Sequence, residues 1–224
     1  MSMKLKALGL GILAMMAVGA FAVTNAGATV SGHFEFGSEH TFITGEEEGL
    51  DFVADDGSKI GCDEAKYTGT HKGTKTTTEL TITPSWNKCY TTPTSGAMEE
   101  PTWDVDENGC HLVFTSRALP AENDATVHVI CPSATPITIT HPNCNITVDP
   151  QTIGGEVGNG VTYTGQNDGT PWVTLDVKVK VAATYHTGLC IFLGTNHTAT
   201  MVGSVKVKGY SNAAHTVRTA ISAT

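Results

Sequence analysis

The chain is expected to be all-β: an antiparallel β-sandwich, jelly-roll or immunoglobulin-like in architecture, with about three disulfides. Three observations predict this. Apolar residues alternate with polar ones at period two in several short runs, and Gly, Pro and Asn separate those runs. Six cysteines are spread through the same region, and no stretch of useful length has helical periodicity.

The amino terminus stands apart from this pattern. Lys4 and Lys6 precede an apolar run from Ala7 to about Val23, and Ala26-Gly27-Ala28 supplies an A-x-A cleavage pattern. Residues 1–28 are therefore expected to be a secretory signal peptide, leaving 29–224 as a single β-sandwich domain. A Pro/Gly/Ser/Thr-rich connector at 91–101 marks a possible sub-boundary. No later stretch is long and apolar enough to be expected to span a membrane as a helix.

The strands follow in order. Phe34 and Phe36 alternate in GHFEFG, and Leu80 and Ile82 in TTTELTITP. Ile137 and Ile139 alternate in PITIT, Ile146 and Val148 in CNITVD. The strongest run is WVTLDVKVKV, where Val173, Leu175, Val177, Val179 and Val181 share one face. Thr174, Asp176, Lys178 and Lys180 take the other, as in a half-buried strand with a wet outer side. GSVKVKGY and HTVRTAIS repeat the pattern near the end.

Registers follow from the turns. Asn108-Gly109 is a hairpin turn dipeptide, and centring it sets Val105 against Leu112 and Trp103 against Phe114. Pairing CHLVFT with TVHVIC puts Cys110 opposite Cys131, Leu112 opposite Val129 and Phe114 opposite Val127. A Pro142-Asn143 turn sets Ile139 against Ile146 and Ile137 against Val148. Residues 102–149 thus read as a five-stranded meander. Cys62 and Cys89 flank another hairpin and are paired, which leaves Cys144 with Cys190 by elimination among 15 arithmetical connectivities. An even cysteine count in an exported chain points to an oxidising compartment.

Charge narrows the partners. The chain carries 13 basic and 22 acidic side chains, and loss of Lys4 and Lys6 leaves 11 and 22, a net charge of −11. That surface repels phosphate backbones, so nucleic acid and anionic membranes are not expected partners. A surface glycan or a protein is the partner class left open.

The candidate sites are few. Asp104, Asp106, Asn108 and Gly109 have the spacing that opens a calcium loop, but its twelfth position is Thr115 where a bidentate acid is needed. A hairpin turn is the expectation there. Glu46 to Glu48, Asp51, Asp55 and Asp56 form a second acidic cluster, expected to be a solvated loop between strands and a further calcium candidate. His33, Glu35 and His40 are a candidate copper or zinc group without a fixed third ligand. Trp86, Trp103 and Trp172, with Tyr90 and Tyr163, are the aromatics a carbohydrate site would use, Trp86 being the one expected at the surface. Asn145 and Asn196 stand in glycosylation sequons. No nucleophile motif with an activating base occurs, and no cofactor motif.

The segments CDEAKYTGT…LTITPSWNKC, GCHLVF…VHVICP, ITIT…CNITVDPQ and VTYTG together resemble a group of uncharacterised exported proteins of actinobacteria. The resemblance spans roughly residues 50–205 and rests on cysteine and strand spacing. It implies a secreted, disulfide-linked β protein and supplies no catalytic residues or cofactor. The expected function is that of a secreted or cell-surface, non-catalytic protein acting by binding or structure. The alternatives are a carbohydrate-binding module or an extracellular hydrolase.

Overall fold

Period-two alternation becomes strand after strand because each run has one apolar face to bury. The computed structural model describes residues 32–55, 57–92, 103–116, 125–156, 158–186, 190 and 197–223. The expected signal peptide and most of the 91–101 connector lie outside the described residues. Within them every strand pairing is antiparallel and the fold is all-β and sandwich-like.

The first half supplies β1 (Phe34–Phe36), β2 (His40–Val53), β3 (Lys59–Lys72), β4 (Thr76–Thr77), β5 (Glu79–Thr92), β6 (Asp104–Asp106), β7 (His111–Thr115) and β8 (Thr126–Ile130). The second half supplies β9 (Ile137–His141), β10 (Cys144–Val148), β11 (Gln151–Gly154), β12 (Gly160–Asn167), β13 (Pro171–Tyr185), β14 (His197–Tyr210), β15 (Arg218–Thr219) and β16 (Ile221–Ala223). The principal sheet runs β11-β8-β7-β5-β3-β2-β14-β13-β10-β9-β6, with β12 on β13 and β15 on β14.

This sheet returns on itself. Trp103, just before β6, bridges Cys89 in β5, and its N–H donates to the Cys89 carbonyl at 3.2 Å. Strands β5, β3, β2, β14, β13, β10, β9 and β6 therefore form a closed ring. A second bridge, Ala125 to Val161, ties the start of β8 to β12. A separate sheet of order β16-β1-β4 brings Phe34, Phe36 and Ile221 into the core at one end.

Closure depends on two long strands that change neighbour along one edge. On the edge away from β3, β5 pairs β7 through Glu79–Ile82 and then meets Trp103 at Cys89. On the edge away from β14, β13 pairs β12 through Pro171–Lys178 and then β10 at Thr184 and Tyr185. Each changeover leaves backbone groups without a strand, and buried backbone groups require partners. Side chains take the strand's place. Glu107 accepts from the Trp86 N–H at 2.6 Å, and Asn159 Oδ1 accepts from the Lys180 N–H at 2.8 Å. Gln151 accepts from the Ala182 N–H at 2.9 Å and donates to its carbonyl at 2.8 Å.

The register expectations divide here. Leu112 lies against Val129, Phe114 against Val127, Ile139 against Ile146 and Ile137 against Val148, as expected. The Val173–Val181 alternation is realised: all five residues are buried. The three disulfides are Cys62–Cys89, Cys110–Cys131 and Cys144–Cys190, the expected set. The five-stranded meander is not formed. The Asn108-Gly109 turn closes, with both residues at positive φ and the Cys110 N–H donating to the Glu107 carbonyl at 2.7 Å. Its arms then separate, β6 pairing β9 (Val105 with Ile139) and β7 lying between β5 and β8. A turn fixes one hydrogen bond, and each arm finds a longer apolar partner elsewhere. The acidic stretch is also corrected: Glu46 to Val53 belong to β2 and are not a loop.

Glu107→Ala should destabilise the fold by about 1.5–3 kcal/mol in urea unfolding, because the Trp86 N–H loses a charge-assisted partner. Glu107→Gln keeps an acceptor and should cost much less. Equal losses for the two variants would contradict the edge-filling role.

Candidate functional site

Inside the closed sheet the alternating strands point valine, isoleucine, leucine and phenylalanine at a common space. That space is a cavity of about 90 Å³, lined from β2 (Leu50, Phe52) through β7 and β8 (Leu112, Val129) to β9 and β13 (Ile139, Val179). Among the described residues every lining side chain is aliphatic, aromatic or sulfur-containing, and none is charged. Ile43, Leu80, Val173 and Val207, buried at other levels of the core, do not border it. Protein interiors seldom leave voids larger than a water molecule. At about 24 cal/mol per Å³, an empty space of this size costs roughly 2 kcal/mol.

One wall carries the only polar side-chain atoms bearing hydrogen among the described lining residues, the Tyr67 hydroxyl and the Trp86 indole N–H. Their arrangement starts from Gly45. It sits opposite Tyr67 in the β2–β3 pair, and a Cβ there would lie 2.8 Å from Tyr67 Cβ and 2.9 Å from Val205 Cγ1. The missing side chain leaves Tyr67 the close approach it makes to β2. Tyr67 Oη donates to Glu47 Oε2 at 3.1 Å and accepts from Trp86 Nε1 at 3.0 Å. The Tyr67 and Trp86 rings meet edge to face with centroids 6.2 Å apart. Glu47 Oε1 also accepts from the Leu50 N–H at 2.8 Å.

Burial pushes the Glu47 carboxyl above its ordinary value, opposed by the hydrogen bonds from Leu50 and Tyr67 and reinforced by the charge of Asp51. Burial likewise raises the Tyr67 hydroxyl, and the Glu47 charge adds to it. Tyr67 stays a neutral donor at any ordinary pH.

The other candidates disperse. Asp104 and Asp106 lie exposed on β6, and Asp106 Oδ1 accepts from the Asn108 N–H at 2.8 Å, a turn contact. In the acidic stretch, Glu46 pairs Lys208 at 3.1 Å, Asp51 pairs Lys59 at 3.1 Å, and Asp55 accepts from Thr198 Oγ1 at 3.4 Å. Asp56 lies outside the described residues. His33 and Glu35 share a face and meet at 3.0 Å, whereas His40 packs against Phe42 with ring centroids 4.7 Å apart. Among the described residues no three His, Cys, Asp or Glu side chains form a group that could hold a metal.

The tryptophans do not share a face. Trp103 is buried and donates to Thr91 Oγ1, Trp86 lines the cavity, and Trp172 lies under Lys206 with Nζ 5.9 Å from its ring centre. The expectation of Trp86 as a surface aromatic is thus corrected to a half-buried cavity wall. Tyr163 donates to the Thr115 carbonyl at 2.6 Å, and Tyr90 is half-buried in β5. Asn145 sits in β10 opposite Thr140, and Asn196 is outside the described residues. Sequence reasoning missed Glu47 as a separate group. The signal was its parity with Ile43 and Gly45, which places an acid on the inward face of β2.

No family model, curated protein or solved structure matches the chain.

The sign for Glu47 follows from its raised value. The unfolded chain ionises near 4.5 and the folded one higher, so this group's contribution to stability is fully present below about pH 4.5. It is lost as pH rises through the folded value. Glu47→Gln removes this component, so the variant should gain on the wild type as pH rises above about 4.5 in thermal unfolding. A difference between the two proteins that does not vary with pH would contradict the assignment.

Proposed function

We propose that the protein is a secreted, non-catalytic binding protein whose site is the apolar interior. The observation that carries the reading is the closed sheet around an unfilled space with, among the described residues, no charged side chain on its wall. Ligand cavities are concave and mostly apolar with few polar groups, and this interior has that composition. Small closed β-barrels either fill their interior with side chains or hold one small ligand.

Supporting the extracellular placement are the three disulfides, which persist in oxidising compartments. The amino-terminal signal pattern and the resemblance to exported actinobacterial proteins point the same way. Among the described residues no helix is long and apolar enough to cross a membrane, and the outward positions of β13 carry Asp176, Lys178 and Lys180. Binding is preferred over hydrolysis because the one acid described with a raised value, Glu47, is held by Tyr67 and Leu50 and faces no nucleophile. A carbohydrate platform is the weaker reading because Trp86, Trp103 and Trp172 lie in three separate settings.

Benzene should bind the disulfide-intact protein saturably at one site, read from the methyl chemical shifts of the lining residues. Val129→Phe, which projects a ring into the cavity, should weaken that binding at least about tenfold while the protein stays folded. Benzene binding unchanged by Val129→Phe, or a specific glycan-array signal without benzene binding, would overturn the reading.

A further inference from the structure

We infer that the interior selects a compact, uncharged apolar molecule of about one six-membered ring, and excludes carboxylated ligands such as fatty acids. The inference rests on the reading of the interior as a binding site and names what that site takes.

Charge is the first constraint. A carboxylate entering an apolar interior needs a cation or several donors to offset its desolvation. Among the described residues no Lys, Arg or His lines the cavity. The two N–H or O–H donors on the wall are already used: Trp86 Nε1 donates to Tyr67 Oη, and Tyr67 Oη donates to Glu47. The ionisable group joined to that wall is itself an acid, so its field opposes a second anion. A cationic ligand gains little, because each Glu47 oxygen already accepts a hydrogen bond and the Tyr67 hydroxyl stands on one of them.

Size is the second constraint. The cavity holds about 90 Å³. That exceeds the roughly 30 Å³ share of one water and falls short of the 150 Å³ of an engineered apolar cavity that binds benzene and xenon. Met201, an unbranched side chain on the wall, can shift to supply the difference. Long chains exceed this volume, and Phe34, Phe36 and Ile221 fill the core at one end.

The test is an isosteric series added to the full mature chain: xenon, benzene, toluene, benzoate and benzylamine. Binding is read from methyl chemical shifts of Val179, Ile139 and Leu112 and from the melting temperature. Xenon, benzene and toluene are expected to shift those methyls saturably, and the aromatics to raise the melting temperature. Benzoate and benzylammonium are expected to bind at least about a hundredfold more weakly than toluene. Benzoate binding as well as toluene would overturn the selectivity and leave the binding site standing. Tightest binding by benzylammonium, lost in Glu47→Gln, would also overturn it and make Glu47 an anchor. If not even xenon moves the methyls, the cavity is not a binding site and both readings fall. The wild-type titrations carry the test without any variant that must fold.

Discussion

The hydrogen bond between the Trp103 N–H and the Cys89 carbonyl joins the β6 end of the strand path back to β5, and the interior exists because that ring closes. A strand edge left open exposes unpaired backbone groups, and closure removes them. Here closure comes at a corner where β5 gives up β7 and takes up Trp103. The Cys62–Cys89 disulfide holds the neighbouring pair of strands at the same point. Glu107 accepts from the Trp86 N–H on that edge, so the turn from Glu107 to Cys110 works as a corner piece of the closed sheet.

Hollowness follows from closure and composition together. The ring of strands, with β7, β8 and β11 completing the wall, encloses a volume that large side chains can fill, but much of this wall is valine. Valine is stiff about χ1 and suits the pleat, yet it reaches inward less far than leucine or phenylalanine. The unfilled part of the core lies among Leu112, Ile139 and Val179, whereas Phe34, Ile43, Leu80 and Val173 are buried without bordering it. On the wall, an inward Tyr67 passes over Gly45 and is anchored by an inward Glu47. Polar groups so placed give that wall a fixed shape without offering it to a charged ligand.

Local features were legible in the sequence because they depend on neighbours in the chain. The β9–β10 and β7–β8 registers and the alternation of β13 needed only period two and a turn. The β7–β8 register put Cys110 opposite Cys131, and the hairpin reading that Cys62 and Cys89 flank paired those two. The β6 partner was not legible, because Val105 is equally apolar against Leu112 or Ile139 and the choice is made by sheet closure. The acidic stretch misled because its charge density masked a strand. Glu46 faces out to Lys208, Glu47 faces in to Tyr67, and the positive φ of Gly49 shifts the alternation before Leu50 and Phe52. The cavity itself depends on how these strands meet, which no single segment records.

The central claim is that the closed sheet surrounds unfilled volume, and pressure reports that volume directly. Internal voids are eliminated on unfolding, which makes the volume change of unfolding more negative. High-pressure unfolding of the wild type beside Val129→Phe should show a clearly smaller volume change for the filled variant. Equal volume changes for two folded proteins would mean that the interior is already packed, and would contradict the account.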